Sequence, residues 1–152
     1  MWEFQHAVET KAKRDFAWGF WTDVTNWAFD TSVEWVRLEG PFASGTKGAT
    51  KSPGMEPVQW FLKEVQPQQK AIVEIPLDEA ALLFHWRFEE LAEGSTRITQ
   101  RAALVGANAD FYAQQIAQSF EHGIPAGMDK LVTEIERAEQ RQKSIGGSDG
   151  NK

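Results

Sequence analysis

The sequence predicts an α+β domain in which a curved, seven-stranded antiparallel sheet is covered on one face by a long C-terminal helix. Apolar and polar residues alternate along several short segments that Gly- and Pro-containing turns separate, which is typical of antiparallel strands connected in chain order. Apolar residues recur at helical spacing over residues 108–142, and no other segment is long enough to cover such a sheet. At 152 residues, one domain is expected.

The N-terminal segment predicts one strand and two short helices. Residues 2–9 alternate, which indicates a half-buried strand. Residues 13–22 predict a helix that buries Ala17, Phe20 and Trp21 and carries Trp18 on its flank. Asp23 precedes a second short helix, expected at residues 24–29.

Six further strands are expected in a continuous meander. The first lies at residues 33–39, and the second runs from the turn that contains Gly45 and Gly48 to about Ser52. The other four lie at residues 57–65, 70–77, 81–91 and 96–105. Within 81–91, Leu82, Phe84, Trp86 and Phe88 share one face, as a strand with one covered face requires.

The C-terminal helix has two apolar stripes with a proline between them. The stripes consist of Ala109, Tyr112, Ala113, Ile116 and Phe120, and of Met128, Leu131, Val132, Ile135 and Ala138. Pro125 predicts a kink or short break. Because small residues are frequent in the first half of the helix, space above the sheet is expected there. Residues 143–152 predict a disordered tail, so the domain is expected to span residues 1–142.

Composition limits the possible functions. The net charge of −6 disfavours a nucleic-acid partner, and the absence of Cys excludes disulfides and thiolate chemistry. Because no charged leader and no apolar run of about 20 residues is present, we expect a cytoplasmic protein without a membrane span. Seven Trp and ten Phe are unusual numbers, and aromatic side chains suit both a core and a pocket.

Four segments resemble motifs of the START and Bet v 1-like (SRPBCC) superfamily, which includes proteins labelled polyketide cyclase/dehydrase and lipid transport. They are AKRDFAWGFWTD (residues 12–23), Asn26-Trp27 with Phe29-Asp30, VEWVRLEGPF (33–42) with GTKG (45–48), and GSTRITQR (94–101). Their order and spacing extend over nearly the whole chain before the tail. Lys13 replaces a Pro that is frequent in the family, and Gln100 replaces a frequent His, which removes a convenient general base.

The resemblance implies the helix-grip fold, with a cavity between the sheet and the C-terminal helix. Such a site needs apolar walls and a few polar groups that orient the ligand. The candidate walls are Trp27, Phe29, Trp35, Trp60, Phe84, Trp86, Phe88, Ile116 and Phe120, and the candidate orienting groups are Asp30, Gln100 and Tyr112. His6 could join them, although a hydrogen-bonded core or rim histidine is the better explanation of this residue.

Catalytic signatures are missing. The sequence contains no Gly-rich phosphate loop, no HExxH and no GxSxG, and its three His are scattered, so neither a metal nor a cofactor is expected. Three interpretations remain open: a protein that binds or transports a small hydrophobic ligand, a cyclase or dehydratase that uses the same cavity, and a partner-binding module of the co-chaperone or ubiquinone-associated kind. Either a monomer or a homodimer is compatible with the sequence.

Overall fold

The computed structural model describes the backbone of residues 2–29 and 33–150 and the side chains of residues 2–27 and 33–144. The chain begins with β1 (Trp2–Thr10), α1 (Arg14–Thr22) and a 3₁₀ helix (Val24–Phe29). Six strands follow: β2 (Trp35–Leu38), β3 (Lys47–Lys51), β4 (Val58–Gln66), β5 (Lys70–Leu77), β6 (Ala80–Glu90) and β7 (Thr96–Val105). The last element is α2 (Ala109–Gly150). The predicted fold class is confirmed.

The strands form one antiparallel sheet in the order β1-β7-β6-β5-β4-β3-β2. Each strand from β2 to β7 pairs with the next one in chain order. Strand β1 forms the other edge of the sheet and pairs with β7 from Trp2↔Leu104 to Thr10↔Thr96. Side chains alternate between the two faces of each strand, so the inner face carries residues such as Trp86, Ile98 and Gln100. This face is the one that the helices cover.

Helix α2 runs without interruption through Pro125. The expected break is therefore wrong. Pro125 has no N–H to donate, so one backbone hydrogen bond is missing there, while the helix continues on both sides. The backbone is helical to Gly150, beyond the expected domain end at residue 142. Disorder of residues 143–152 stays a prediction, and residues 151 and 152 lie outside the described part.

Among the described residues, the buried apolar side chains form three clusters instead of one. The first joins α1 to the second half of α2 through Ala17, Trp18, Met128, Leu131 and Ile135. Trp18 is thus a core residue, whereas Phe20 is only half-buried. The sequence predicted a buried Phe20 with Trp18 on the flank of the helix, and this assignment was wrong.

The other two clusters lie at different parts of the sheet. One consists of Val24, Val36, Trp60, Leu62 and Val73 on the β2–β5 half. The other joins the start of α2 to β6 and β7 through Ala109, Leu82 and Leu104.

The outer face of the sheet is polar and carries cross-strand ion pairs such as Glu3–Arg101, Glu9–Arg97 and Glu74–Lys63. His85 is half-buried on this face. Burial lowers the pKa of His85 below its usual 6.5, and the positive charges of Arg101, Lys63 and Lys70 lower it further, against the opposing effect of Glu64.

This shift predicts a pH dependence of stability. Because the imidazole binds a proton less readily in the folded state, the unfolded state takes up the proton first as the pH falls through about 6.5. The free energy of unfolding should therefore fall more between pH 7.5 and pH 5.5 in the wild type than in His85→Gln. Urea denaturation at the two pH values measures the difference. Equal losses in the two proteins would contradict the lowered pKa.

Candidate functional site

A cavity of about 530 Å³ lies between the inner face of the sheet and the middle of α2. On the sheet side it is lined by Val36, Thr50, Trp60, Val73, Ile75, Phe84, Trp86 and Gln100, together with Val33, which precedes β2. The two short helices contribute Trp21 and Trp27. The α2 side consists of Ser119, Phe120, Gly123, Ile124, Gly127, Met128 and Leu131. Residues of the three apolar clusters border this space, and Phe84 packs against all three.

Three tryptophans form a stacked wall. The ring of Trp27 lies between those of Trp21, at 5.6 Å between centroids and 30° between planes, and Trp60, at 5.5 Å and 25°. Trp27 Nε1 also donates a hydrogen bond to the backbone carbonyl of Trp21 over 2.6 Å. Trp60 Nε1 donates to Thr50 Oγ1 over 2.9 Å. Each aromatic pair contributes about 0.5–1.5 kcal/mol beyond its buried area, so the wall is rigid compared with an aliphatic one.

Gly48 makes the position of Trp60 possible. The two residues are cross-strand partners in β3 and β4, and a Cβ added at Gly48 would lie 2.4 Å from Trp60 Cη2. The sequence assigned Gly48 to a turn. It lies inside β3, and its role is to let an indole lie flat against the backbone; the turn glycine is Gly45, whose φ is +94°.

The middle of α2 has little side-chain bulk. Ser119, Gly123 and Gly127 recur every four residues and border the cavity, and a Cβ added at either glycine would meet nothing within 4 Å. The sequence predicted the space one or two turns earlier, at the alanines. Ala109 and Ala113 instead pack against the cluster around Leu104, so the space above the sheet begins only near Ser119.

Gln100 is the buried polar group of this site. Its side chain is 8% exposed and borders the cavity from the middle of β7, between its register partners Trp86 and His6. No hydrogen bond among the described residues involves its carboxamide. Its polar atoms are not completely buried, so they remain accessible from the cavity. Leaving a buried amide unpaired costs roughly 1–3 kcal/mol, so this amide is free to bond whatever fills the space.

The remaining polar groups of the lining are hydroxyls. Thr50 Oγ1 accepts the Trp60 hydrogen bond and keeps its own proton to donate, and Ser119 is exposed on α2. An amide and two hydroxyls are neutral at physiological pH. The described lining can therefore hold and orient a molecule by hydrogen bonds.

Six of the twelve candidate residues lie together in the cavity wall: Trp27, Trp60, Phe84, Trp86, Gln100 and Phe120. That they bind a ligand stays a prediction. The Phe29 side chain and the whole of Asp30 lie outside the described residues. His6 is half-buried beside Gln100 and is not part of the wall.

The placement of Trp35 and Phe88 in the wall was wrong. Val36 points inwards from β2, so Trp35 points outwards, where the Arg37 guanidinium lies 4.1 Å from its ring centroid. Phe88 is on the predicted face but is 1% exposed and packs against Trp18 and Trp21 at 5.3 and 5.4 Å. It is a core residue behind the wall.

Tyr112 and Ile116 also lie away from the cavity. The Tyr112 hydroxyl accepts a hydrogen bond from the Asp78 backbone N–H over 3.2 Å, at the turn between β5 and β6. Ile116 packs in the cluster that contains Leu82 and Leu104. Both residues are on the predicted inner stripe of α2, but they belong to the part of the helix that touches the sheet.

The sequence analysis missed several wall residues, chiefly Trp21, Val36, Gly123 and Gly127. A preference for aromatic residues over small aliphatic ones explains the omission of Val36. The spacing of Ser119, Gly123 and Gly127 at four-residue intervals was a usable indication, because it places three small residues on one helical face.

Among the described residues, neither a metal-binding cluster nor a membrane-spanning helix is present. No group of three or more His, Asp or Glu side chains is arranged so that it could hold a metal ion. None of the helices in this part of the chain is long and apolar enough to cross a bilayer.

No protein-family model matches this chain, and no curated protein matches its sequence. Solved structures do match. The di-domain ARO/CYC protein BexL of the BE-7585A biosynthetic pathway aligns with a TM-score of 0.73 at 13% identity, over 90% of this chain and 47% of BexL, so this chain spans about half the length of that protein. The ZhuI aromatase/cyclase of Streptomyces sp. R1128 aligns with a TM-score of 0.69 at 16% identity, over 90% and 94% of the two chains.

A third structure is norcoclaurine synthase from Thalictrum flavum in complex with dopamine and hydroxybenzaldehyde. It aligns with a TM-score of 0.69 at 12% identity, over 90% of this chain and 87% of that chain. At these identities the likeness establishes the fold. The chain has the helix-grip fold, and its structural neighbours are Bet v 1-like SRPBCC proteins, as the sequence motifs predicted.

The contact between Gly48 and Trp60 is testable. Gly48→Ala should lower the free energy of unfolding by about 1–3 kcal/mol, because the new methyl group displaces a rigid indole that is packed on its other side. The matched control is Gly40→Ala, where the Cβ would lie 3.6 Å from Thr46 Cγ2, an ordinary contact. Its effect should stay within about 0.5 kcal/mol. Urea denaturation followed by Trp fluorescence measures both, and equal effects would show that Gly48 has no special role.

Proposed function

We propose that this protein binds a small, neutral, largely aromatic or otherwise hydrophobic ligand in the cavity between the sheet and α2. The observation that carries this proposal is a cavity of about 530 Å³ with apolar walls and one buried amide, that of Gln100, which has no hydrogen-bond partner among the described residues. Ligand sites commonly measure about 300–1,000 Å³ and combine apolar walls with a few polar groups. The cavity fits both criteria.

The aromatic wall supports a planar ligand. Both faces of Trp27 are covered by other indoles, so Trp27 presents its edge to the cavity, whereas Phe84 and Trp86 border it from the neighbouring strand β6. Aromatic rings attract other rings in offset or edge-to-face arrangements. The complex of norcoclaurine synthase with dopamine and hydroxybenzaldehyde is an example of aromatic molecules bound by a protein of this fold.

A cyclase-type enzyme is the second candidate, and the likeness to the ZhuI aromatase/cyclase and to BexL favours it. General acid–base chemistry on a bound substrate needs a titratable group near the reacting atom. The polar groups of the described lining are Thr50, Gln100 and Ser119, which orient a ligand rather than exchange protons with it. Binding is therefore the better-supported function.

A filled core beneath α2 would favour the third interpretation, a partner-binding module. The space under Gly123 and Gly127 argues against it. We further propose that the protein acts in the cytoplasm, as a monomer or homodimer.

The test uses N-phenyl-1-naphthylamine, a neutral probe whose fluorescence rises in apolar surroundings. Saturable binding with one site per chain is expected, accompanied by quenching of Trp fluorescence, because Trp21, Trp27, Trp60 and Trp86 all border the site. A linear, non-saturable signal would contradict the proposal.

A variant of α2 locates the probe. Gly127→Leu should weaken probe binding by tenfold or more, because the new side chain enters the cavity, while helix stability stays equal or rises by about 1 kcal/mol. Gly19→Leu is the matched control, since Gly19 is in the helix α1, has no atom within 4 Å of an added Cβ and does not border the cavity. Its probe affinity should equal that of the wild type. Equal affinities for all three proteins would place the probe elsewhere.

A further inference from the structure

We propose that Gln100 selects ligands whose polar edge presents a hydrogen-bond donor next to an acceptor, as a lactam or a primary or secondary cis-amide does. This inference rests on the proposed binding function of the cavity and specifies the chemical class of its ligand. It depends on the position of Gln100, the state of its carboxamide and the character of the surrounding walls.

The backbone fixes the position of Gln100. It lies in the middle of β7, paired on one side with Trp86 of β6 and on the other with His6 of β1. Its neighbours along the strand on the same face, Ile98 and Ala102, are fully buried. With the strand held on both sides, the amide can reorient only about its side-chain bonds, so its location in the cavity wall is constant.

The carboxamide has unused hydrogen-bonding capacity on both of its ends. It carries one carbonyl acceptor and two N–H donors, and no described residue bonds to any of them. The side chain is 8% exposed, and the cavity is what its polar atoms face. Gln100 offers a carbonyl acceptor beside an N–H donor. A ligand satisfies both at once if it presents a donor beside an acceptor, and the two groups then form two parallel hydrogen bonds.

The walls restrict the charge of the ligand. Apart from Gln100, Thr50 and Ser119, the described lining is apolar. Burying an ion in such surroundings without a counter-charge is strongly unfavourable, so a carboxylate is excluded even though it would accept from the amide N–H. A neutral donor–acceptor edge on a planar apolar body remains.

Two probes differ by one methyl group, which replaces the hydrogen of the relevant donor. 2-Quinolinone is a neutral bicyclic lactam with an N–H beside its carbonyl, and N-methyl-2-quinolinone has lost the donor. We expect the wild type to bind the lactam roughly five- to tenfold more tightly, measured by displacement of N-phenyl-1-naphthylamine. In Gln100→Met, which keeps the side-chain length without the amide, the ratio of the two dissociation constants should fall to about one.

The control is Thr99→Val, on the neighbouring position of β7 that points to the opposite face; it should keep the wild-type ratio. Gln100→Met should still bind N-phenyl-1-naphthylamine saturably with one site per chain, whatever its affinity, which shows that the cavity is still present. If the probe binds but the ratio is the same in the wild type and Gln100→Met, the role of Gln100 is refuted and the proposed function survives. If the wild type does not bind the probe, both are refuted.

Discussion

A continuous helix cannot follow a curved sheet along its whole length, and this constraint produces the site. Two groups of buried residues on helix α2 pack against the other elements. Near its start, Ala109 packs against Leu82 and Leu104, and further along, Met128 and Ile135 pack against α1 and the adjoining sheet. Between these contacts Phe120 reaches the rings of Trp2 and Phe84, and Gly123 and Gly127 leave the gap open beside Ile124. The space persists because closing it would require α2 to bend towards the sheet and give up one of its two packed ends.

The tryptophan wall fixes the opposite side of the same space. Stacking of Trp27 between Trp21 and Trp60 connects α1 and the 3₁₀ helix to β4, and two indole N–H groups are bonded within the wall. Gly48 supplies the room that one of these rings needs. Rings held in this way cannot rotate inwards to fill the cavity. Gln100 adds a buried amide for which the described residues provide no hydrogen-bond partner, next to the hydroxyls of Thr50 and Ser119.

The sequence predicted the architecture because the fold is built on periodic patterns. The extents of β5 and β7 were predicted without error, and β6 within one residue at each end. Six of the candidate residues border the cavity, since strand alternation places Phe84, Trp86 and Gln100 on one face, and their role in binding a ligand stays a prediction. The errors arose where position along an element decides the role: Trp35 is on the opposite face, and Phe88 lies behind the wall. Which turns of α2 rest on the sheet depends on tertiary contacts that periodicity does not encode.

The central claim is that the space between α2 and the sheet is open and apolar. A crystal structure of the protein under xenon pressure tests it most directly, because xenon enters apolar cavities without needing hydrogen bonds. The account predicts xenon density bordered by Trp60, Phe84 and Ile124, with Gly123 and Gly127 on the side of the helix. A structure in which α2 lies on the sheet along its whole length, with side chains filling that region and no xenon there, would contradict the account.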